Sequence, residues 1–138
     1  MGGVAAAAPA PRTRRLKVWF DGGCRPNPGR MEAAVVARGV ASFFDDLGFG
    51  TSGDAEWLAL IAALRLAQSL GETHFDLIGD CANVINQANG VWKCRTTAAV
   101  GHLARFHDLA ASAPPRRMVW TPRAQNLAGI ALARRHAR

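Results

Sequence analysis

The run DAEWLALIAALRLAQSL, from Asp54 to Leu70, is the hardest part of this chain to place anywhere but in an interior. Its spacing predicts a helix. Acidic and small polar residues stand at its start, Gly71 follows its end, and only Arg65 and Gln68 wet one side. A helix apolar nearly all round should be largely buried, so its neighbours decide the fold.

Those neighbours read as strands before it and as alternating elements after it. LKVWF (16–20) is rich in strand formers and runs into DGG, so it predicts a strand ending at Asp21; RPNPGR then supplies turn chemistry. MEAAVVAR (31–38) and a shorter segment within 40–50 continue an antiparallel meander. After the apolar helix, HFDLIGD (74–80) predicts a buried strand closed by Asp80, and CANVINQAN (81–89) a short helix stopped by Gly90. A further helix is expected over 96–112. A strand over 116–120 follows the Pro114-Pro115 break, and an Arg-rich helix over 123–136 ends the chain. The order β-β-β-α-β-α-α-β-α predicts an α/β fold with a mixed sheet and helices on its faces. One domain over 16–138 is expected, behind a flexible Ala/Pro/Arg tail at 1–15.

Charge is distributed unevenly. Residues 1–17 carry Arg12, Arg14, Arg15 and Lys17 with no acid, and residues 114–138 carry six arginines with none. All 10 acidic residues lie between, so basic flanks enclose an acidic centre. That arrangement suits a protein that holds a polyanion while chelating cations, although Arg-rich ends also serve solubility alone. Cys24, Cys81 and Cys94 are odd in number and form no C-x-x-C pair, which argues against a disulfide framework or structural zinc and fits a reducing cytoplasm. No apolar run reaches the roughly 20 residues of a membrane span.

The chemistry gathers on carboxylates. Asp21 and Asp80 close two predicted strands, and Glu56 is expected in the first turn of the apolar helix. Acids at the ends of neighbouring strands can converge, and clustered carboxylates raise one another's pKa unless a cation neutralises them. Oxygen-only ligands favour Mg²⁺ or Mn²⁺. Each acid alone could equally cap its element or face solvent, as a glutamate near a helix start often does.

The local sequences are more specific. FDGGCRPNPG (20–29), TSGDAEWLALIAAL (51–64), GDCANVINQANGVWKCR (79–95) and WTPRAQNLAGIALAR (120–134) occur in this order. Together they resemble the type 1 ribonuclease H family: D-G then N-P-G, an A-E helix, D-x-x-x-V-x-x-Q-x-x-G-x-W-K, and W-x-P-R-x-x-N. The resemblance covers most of residues 16–135. It implies a ribonuclease H-like fold with a five-stranded mixed sheet, an antiparallel meander plus parallel strands, and helices on both faces. It implies that Asp21, Glu56 and Asp80 are catalytic metal ligands, with two Mg²⁺ or Mn²⁺ ions when substrate is bound. It places Asn27 and Thr51 on the nucleic-acid backbone, Cys24 in the same substrate-facing loop, Trp92 and Lys93 among the nucleic-acid contacts, and Arg123 where some members carry a mobile histidine. Asn27 could instead serve its turn, Thr51 cap the helix, Trp92 pack in the core and Arg123 contact nothing.

One departure bears on mechanism. The family's fourth carboxylate stands four residues after the closing asparagine; here that asparagine is Asn126 and the position holds Ile130, with no Asp or Glu after Asp108. Gly53-Asp54 and Met31-Glu32 also replace the family's usual asparagines and glycines. His102, His107 and His136 offer no obvious substitute ligand and are expected to face solvent. The expectation is therefore a cytoplasmic, monomeric endonuclease that hydrolyses the RNA strand of RNA–DNA hybrid, slowed by the missing acid. The alternatives are a hybrid-binding module that has lost catalysis, and a nuclease of the same fold acting on another duplex.

Overall fold

The computed structural model describes residues 15–136. Apart from Arg15, the tail expected over 1–15 lies outside the described residues. The elements are β1 (Leu16–Cys24), β2 (Gly29–Ala37), β3 (Val40–Phe44), the two-residue β4 (Phe49–Gly50), α1 (Ser52–Ser69), β5 (Phe75–Gly79), α2 (Ala82–Ala88), α3 (Thr97–Ala110), β6 (Arg117–Trp120) and α4 (Leu127–Arg135). A 3₁₀ turn over Arg123–Gln125 precedes α4. What was expected as one closing helix is thus divided at Asn126, which caps α4.

The sheet runs β3-β2-β1-β5-β6, with β4 pairing the start of β2. β1, β2 and β3 are antiparallel, whereas β1 and β6 both flank β5 in parallel. This is the mixed sheet that the resemblance implies. β1 continues past Asp21, where it was expected to end, through Gly22, Gly23 and Cys24. Antiparallel pairing with Met31–Ala34 carries the strand through.

Alternation along β1 divides the interior in two. Val18 and Phe20 join the main core with Trp57, Leu60, Leu64, Phe75, Leu77 and Phe106, beneath α1 and α3. Trp19 packs on the opposite face with Ala34, Val36, Ala128 and Leu132, under α4. β5 is buried along its whole length, as a central strand covered on both faces should be. α1 buries nine of its residues, in keeping with its apolar circumference. Thr51 and Asp54 form a capping box at its start. Gly71, at φ +75°, closes its end in a left-handed conformation that costs a glycine little. Among the described residues no helix is long and apolar enough to cross a membrane.

Asp76 shows where part of the arginine excess is used. Its carboxylate is 1% exposed and is met by Arg15 at 3.5 Å, Arg116 at 3.2 Å and Arg117 at 3.3 Å. These arginines pin the strand ends of β1 and β6 to β5. Arg135 pairs with Asp45 and lies over the Phe43 ring.

Candidate metal centre

Parallel pairing brings two of the acids together. β1 and β5 are in register from Leu16↔Phe75 to Trp19↔Ile78, and two further steps along each strand set Asp21 opposite Asp80. Asp80 lies just beyond the end of β5, at the carboxyl ends of the parallel strands. Glu56 comes from α1, one residue beyond its first turn, because Thr51 starts the helix earlier than Asp54. Each of Asp21, Glu56 and Asp80 offers an oxygen, and these atoms lie within 4.8 Å of one another.

Backbone and amide donors hold two of the three side chains. The Gly22 amide donates to Glu56 Oε1 at 3.1 Å. Asn126 is fully buried: its Nδ2 donates to the Phe20 carbonyl and to Asp80 Oδ2, both at 3.0 Å, and its Oδ1 accepts from the Ala128 amide. One side chain therefore caps α4, fastens it to β1 and orients Asp80. Sequence reasoning used Asn126 only to mark a motif; its place at a helix start, as an asparagine, was the available signal.

Burial makes the cluster electrostatically costly. Glu56 is pushed up to about 9, first by burial and then by the charges of Asp21 and Asp80. Asp21 rises to about 6, by burial and then by Asp80, with Arg123 pulling the other way. Asp21 Oδ1 is buried without a hydrogen-bond partner. Carboxylate oxygens that crowd together, one of them orphaned, fit a hard divalent cation, which neutralises the repulsion and supplies the missing partner. Asp21, Glu56 and Asp80 are the residues that would hold it.

Arg123 crosses the mouth of the cluster. Its Nη1 lies 3.3 Å from Asp80 Oδ1 and 3.9 Å from Asp21 Oδ1, so it does not stand free as an unattached arginine would. Gly129 and Ala133 line the cleft of about 330 Å³ above the carboxylates, whereas Ile130 is 38% exposed and does not. A Cβ at Gly129 would sit 3.5 Å from Asp80 Oδ2 and 3.6 Å from Asp21 Oδ2. The α4 position that faces the acids in three dimensions is thus Gly129, one residue before the position reached by counting.

The remaining sequence-predicted residues line the carboxylate cleft and two others. Asn27 and Ser52 bond reciprocally: Asn27 Nδ2 donates to Ser52 Oγ, and Asn27 Oδ1 accepts from the Ser52 amide, both at 3.0 Å. Asn27 therefore ties its loop to the start of α1, at the edge of the carboxylate cleft. Cys24 is buried behind it, with its thiol towards Asn27 and the Gly50 carbonyl. Thr51 is the α1 cap and lines an adjoining cleft with Asp54, Asn83 and Thr96. Asn83, Gln87 and Thr96 continue into a third cleft, of about 550 Å³, lined by Trp92 and Lys93. Trp92 is 47% exposed and does not pack in the core.

One histidine departs from expectation. His102 is half-buried: its Nε2 lies 2.9 Å from Asp54 Oδ1 and its ring stacks on Trp57. His107 and His136 are exposed, and His136 pairs with Glu32 at 2.6 Å.

Comparison with known proteins gives relatives in sequence and in fold. Residues 20–136 match the family model described as reverse transcriptase-like. Ribonuclease HI of Halobacterium salinarum is 32% identical over 135 residues, covering 94% of this chain and 68% of that protein. The crystal structure of that archaeon's RNase H1 superposes with a TM-score of 0.76 at 30% identity, over 90% of this chain and all of the other. The bifunctional protein Rv2228c of Mycobacterium tuberculosis is 30% identical over 81% of this chain, which spans only 32% of that longer protein. LC11-RNase H1, solved in complex with RNA/DNA hybrid, shares the fold at a TM-score of 0.71 and 22% identity, over 82% of this chain and 89% of that one.

Proposed function

This chain belongs to the ribonuclease H family, and from that premise we propose that it is a divalent-metal-dependent endonuclease that hydrolyses the RNA strand of RNA–DNA hybrid. The observation that carries the reading is the convergence of Asp21, Glu56 and Asp80, with Asp21 Oδ1 buried and lacking a hydrogen-bond partner. Mg²⁺ or Mn²⁺ bound there would supply activation of water and support of the leaving oxygen in phosphodiester hydrolysis, for which two ions roughly 3.5–4 Å apart serve best.

The chain's own residues supply position. Gly22 and Asn126 hold Glu56 and Asp80 in place, so the cluster is formed before substrate arrives. The start of α1, with Thr51, Ser52 and Asn27, offers polar groups and a positive helix end to backbone phosphates. Farther along, exposed Trp92 offers a stacking face and Lys93 a cation. In-line attack by water would leave a 5′-phosphate and a 3′-hydroxyl.

A second reading, a hybrid-binding module with impaired catalysis, is favoured by one observation: α4 presents Gly129 to the acids rather than a fourth carboxylate. Incubating labelled hybrid, duplex RNA and duplex DNA with the protein, in Mg²⁺ and then in Mn²⁺, separates the readings. Cleavage confined to the RNA of the hybrid is the expected result. Tight binding without cleavage in either metal would support the module instead, and preferential cleavage of another duplex would refute the assigned substrate.

A further inference from the structure

Resting on that reading, we propose that Arg123 is a built-in counter-cation of the carboxylate cluster, which competes with divalent metal until a substrate phosphate draws it away. Nucleic-acid binding and metal loading are then coupled through one side chain.

Three carboxylates lie within 4.8 Å of one another, and two of them are within 3.9 Å of Arg123 Nη1. The guanidinium bridges Asp80 and Asp21, the two acids whose oxygens also flank Gly129. A divalent ion shared by Asp21 and Asp80 needs the same oxygens that Arg123 now faces, and like charges a few ångströms apart oppose each other. No acidic side chain on α4 is available to bind a further ion or to hold Arg123 back, since the sequence has none after Asp108.

The Arg123 side chain is 71% exposed although its partners are almost fully buried. Its contacts with Asp80, at 3.3 and 3.4 Å, are at the long end for charge-assisted bonds. Arg123 sits in a 3₁₀ turn next to Pro122 and lines the cleft above the carboxylates. A phosphodiester entering the cleft presents oxygens that a guanidinium can bind in two places at once. The cost of leaving the aspartates is then met by the phosphate, and the vacated oxygens become available to metal. Linkage requires the converse as well: metal on the cluster must favour the phosphate-bound position of Arg123, and so tighten nucleic-acid binding.

Mn²⁺ titration followed by electron paramagnetic resonance reads this without reference to turnover. It is run with and without a short hybrid whose RNA strand is 2′-O-methylated and uncleavable. The native protein should bind Mn²⁺ weakly alone and at least tenfold more tightly with the hybrid. Arg123→Gln, at an exposed position that does not support the core, should bind Mn²⁺ several-fold more tightly than the native protein in the absence of hybrid, and should lose most of the enhancement by hybrid. Arg123→Lys, which keeps the charge but not the planar fork, should fall between. Equal Mn²⁺ affinity in native and Gln variants, with enhancement by hybrid intact in both, would overturn the proposal while leaving the metal-nuclease reading standing. A native protein that takes up no Mn²⁺ with or without hybrid would overturn both.

Discussion

Gly22 and the Ala55 carbonyl are in such close approach that a Cβ on Gly22 would lie 2.2 Å from the Ala55 oxygen. The neighbouring Glu56 side chain accepts from the Gly22 amide, so the contact that lets α1 lie on β1 also fixes one member of the carboxylate cluster. Gly22→Ala should therefore push α1 off the strand. Overpacking of this kind typically costs about 1–3 kcal/mol, and here the opposing atoms are backbone and cannot rotate away. A urea titration should show the loss, and Mn²⁺ affinity should fall with it. A variant as stable as the native protein would mean that α1 is free to shift.

The raised pKa values of Glu56 and Asp21 predict the pH dependence of the metal-free protein. A carboxyl whose folded pKa exceeds its unfolded one keeps its proton in the native state after the unfolded chain has lost it. Stability is then full below the unfolded value and declines until the folded value is passed. For Glu56 that window runs from 4.5 to about 9, and for Asp21 from 3.8 to about 6. In chelator, the melting temperature should fall as pH rises from 5 to 9. Saturating Mg²⁺ should flatten the decline, and Glu56→Gln should remove most of it. A melting temperature that does not change with pH in chelator would show that the cluster is not electrostatically strained.

Asp54 behaves in the opposite sense. Its pKa is lowered, first by the hydrogen bond from the Thr51 backbone and also by bonding to His102 and the Thr51 hydroxyl. Its contribution is present above the ordinary carboxylate range and is lost as pH falls through the depressed value. Asp54→Ala breaks the α1 capping box and the bridge to α3 together, and should cost about 1 kcal/mol at neutral pH. The deficit should shrink in acid. A double-mutant cycle with His102→Ala, followed by thermal melts at pH 7 and pH 3, measures both the coupling and its pH dependence.

What was readable beforehand divides along physical lines. Asp21 and Asp80 stood out as the ends of predicted strands, and they and Glu56 were singled out because the short motifs around them, D-G-G, A-E and G-D, resemble those of the ribonuclease H family. The apolar run of α1 and the buried FDLIG of β5 were legible as periodicity and hydropathy. Tertiary pairing was not. β1 was expected to end at Asp21, because the residues that carry it on, Ala33 and Glu32, lie on the neighbouring strand β2. Arg15, Arg116 and Arg117 looked like free basic charge, since nothing nearby in the sequence identifies Asp76 as their shared partner. His102 finds Asp54 across 48 residues. The phase of α4 was also hidden: Asn126 caps the helix, Leu127 begins it, and that start point turns the third helical residue rather than the fourth towards the acids.

That phase leads to the last prediction. Gly129→Asp should place a fourth carboxylate beside Asp21 and Asp80, whereas Ile130→Asp should add only a surface charge. The space exists: the nearest atoms to a Cβ at Gly129 are 3.5–3.6 Å away, ordinary van der Waals contact. A carboxylate in the first turn of α4 also meets the positive end of the helix, a gain of about 0.3–1 kcal/mol in exposed cases. Against this stands repulsion from two carboxylates already crowded together, so the metal-free variant should melt lower than the native protein. Divalent metal reverses the balance. An added hard ligand should tighten Mg²⁺ binding tenfold or more, about 1.4 kcal/mol, and should raise the melting temperature above that of the metal-loaded native protein. Hybrid cleavage should rise in parallel, because a better-held ion polarises water and orients it more effectively. Gly129→Asn, equal in size but uncharged, separates charge from packing and should show neither the penalty in chelator nor the gain in Mg²⁺. Melting curves and calorimetric Mg²⁺ titrations on the three variants decide the matter. If Ile130→Asp tightened Mg²⁺ and Gly129→Asp did not, α4 would have to be turned by about one residue, roughly 100°, from the orientation described.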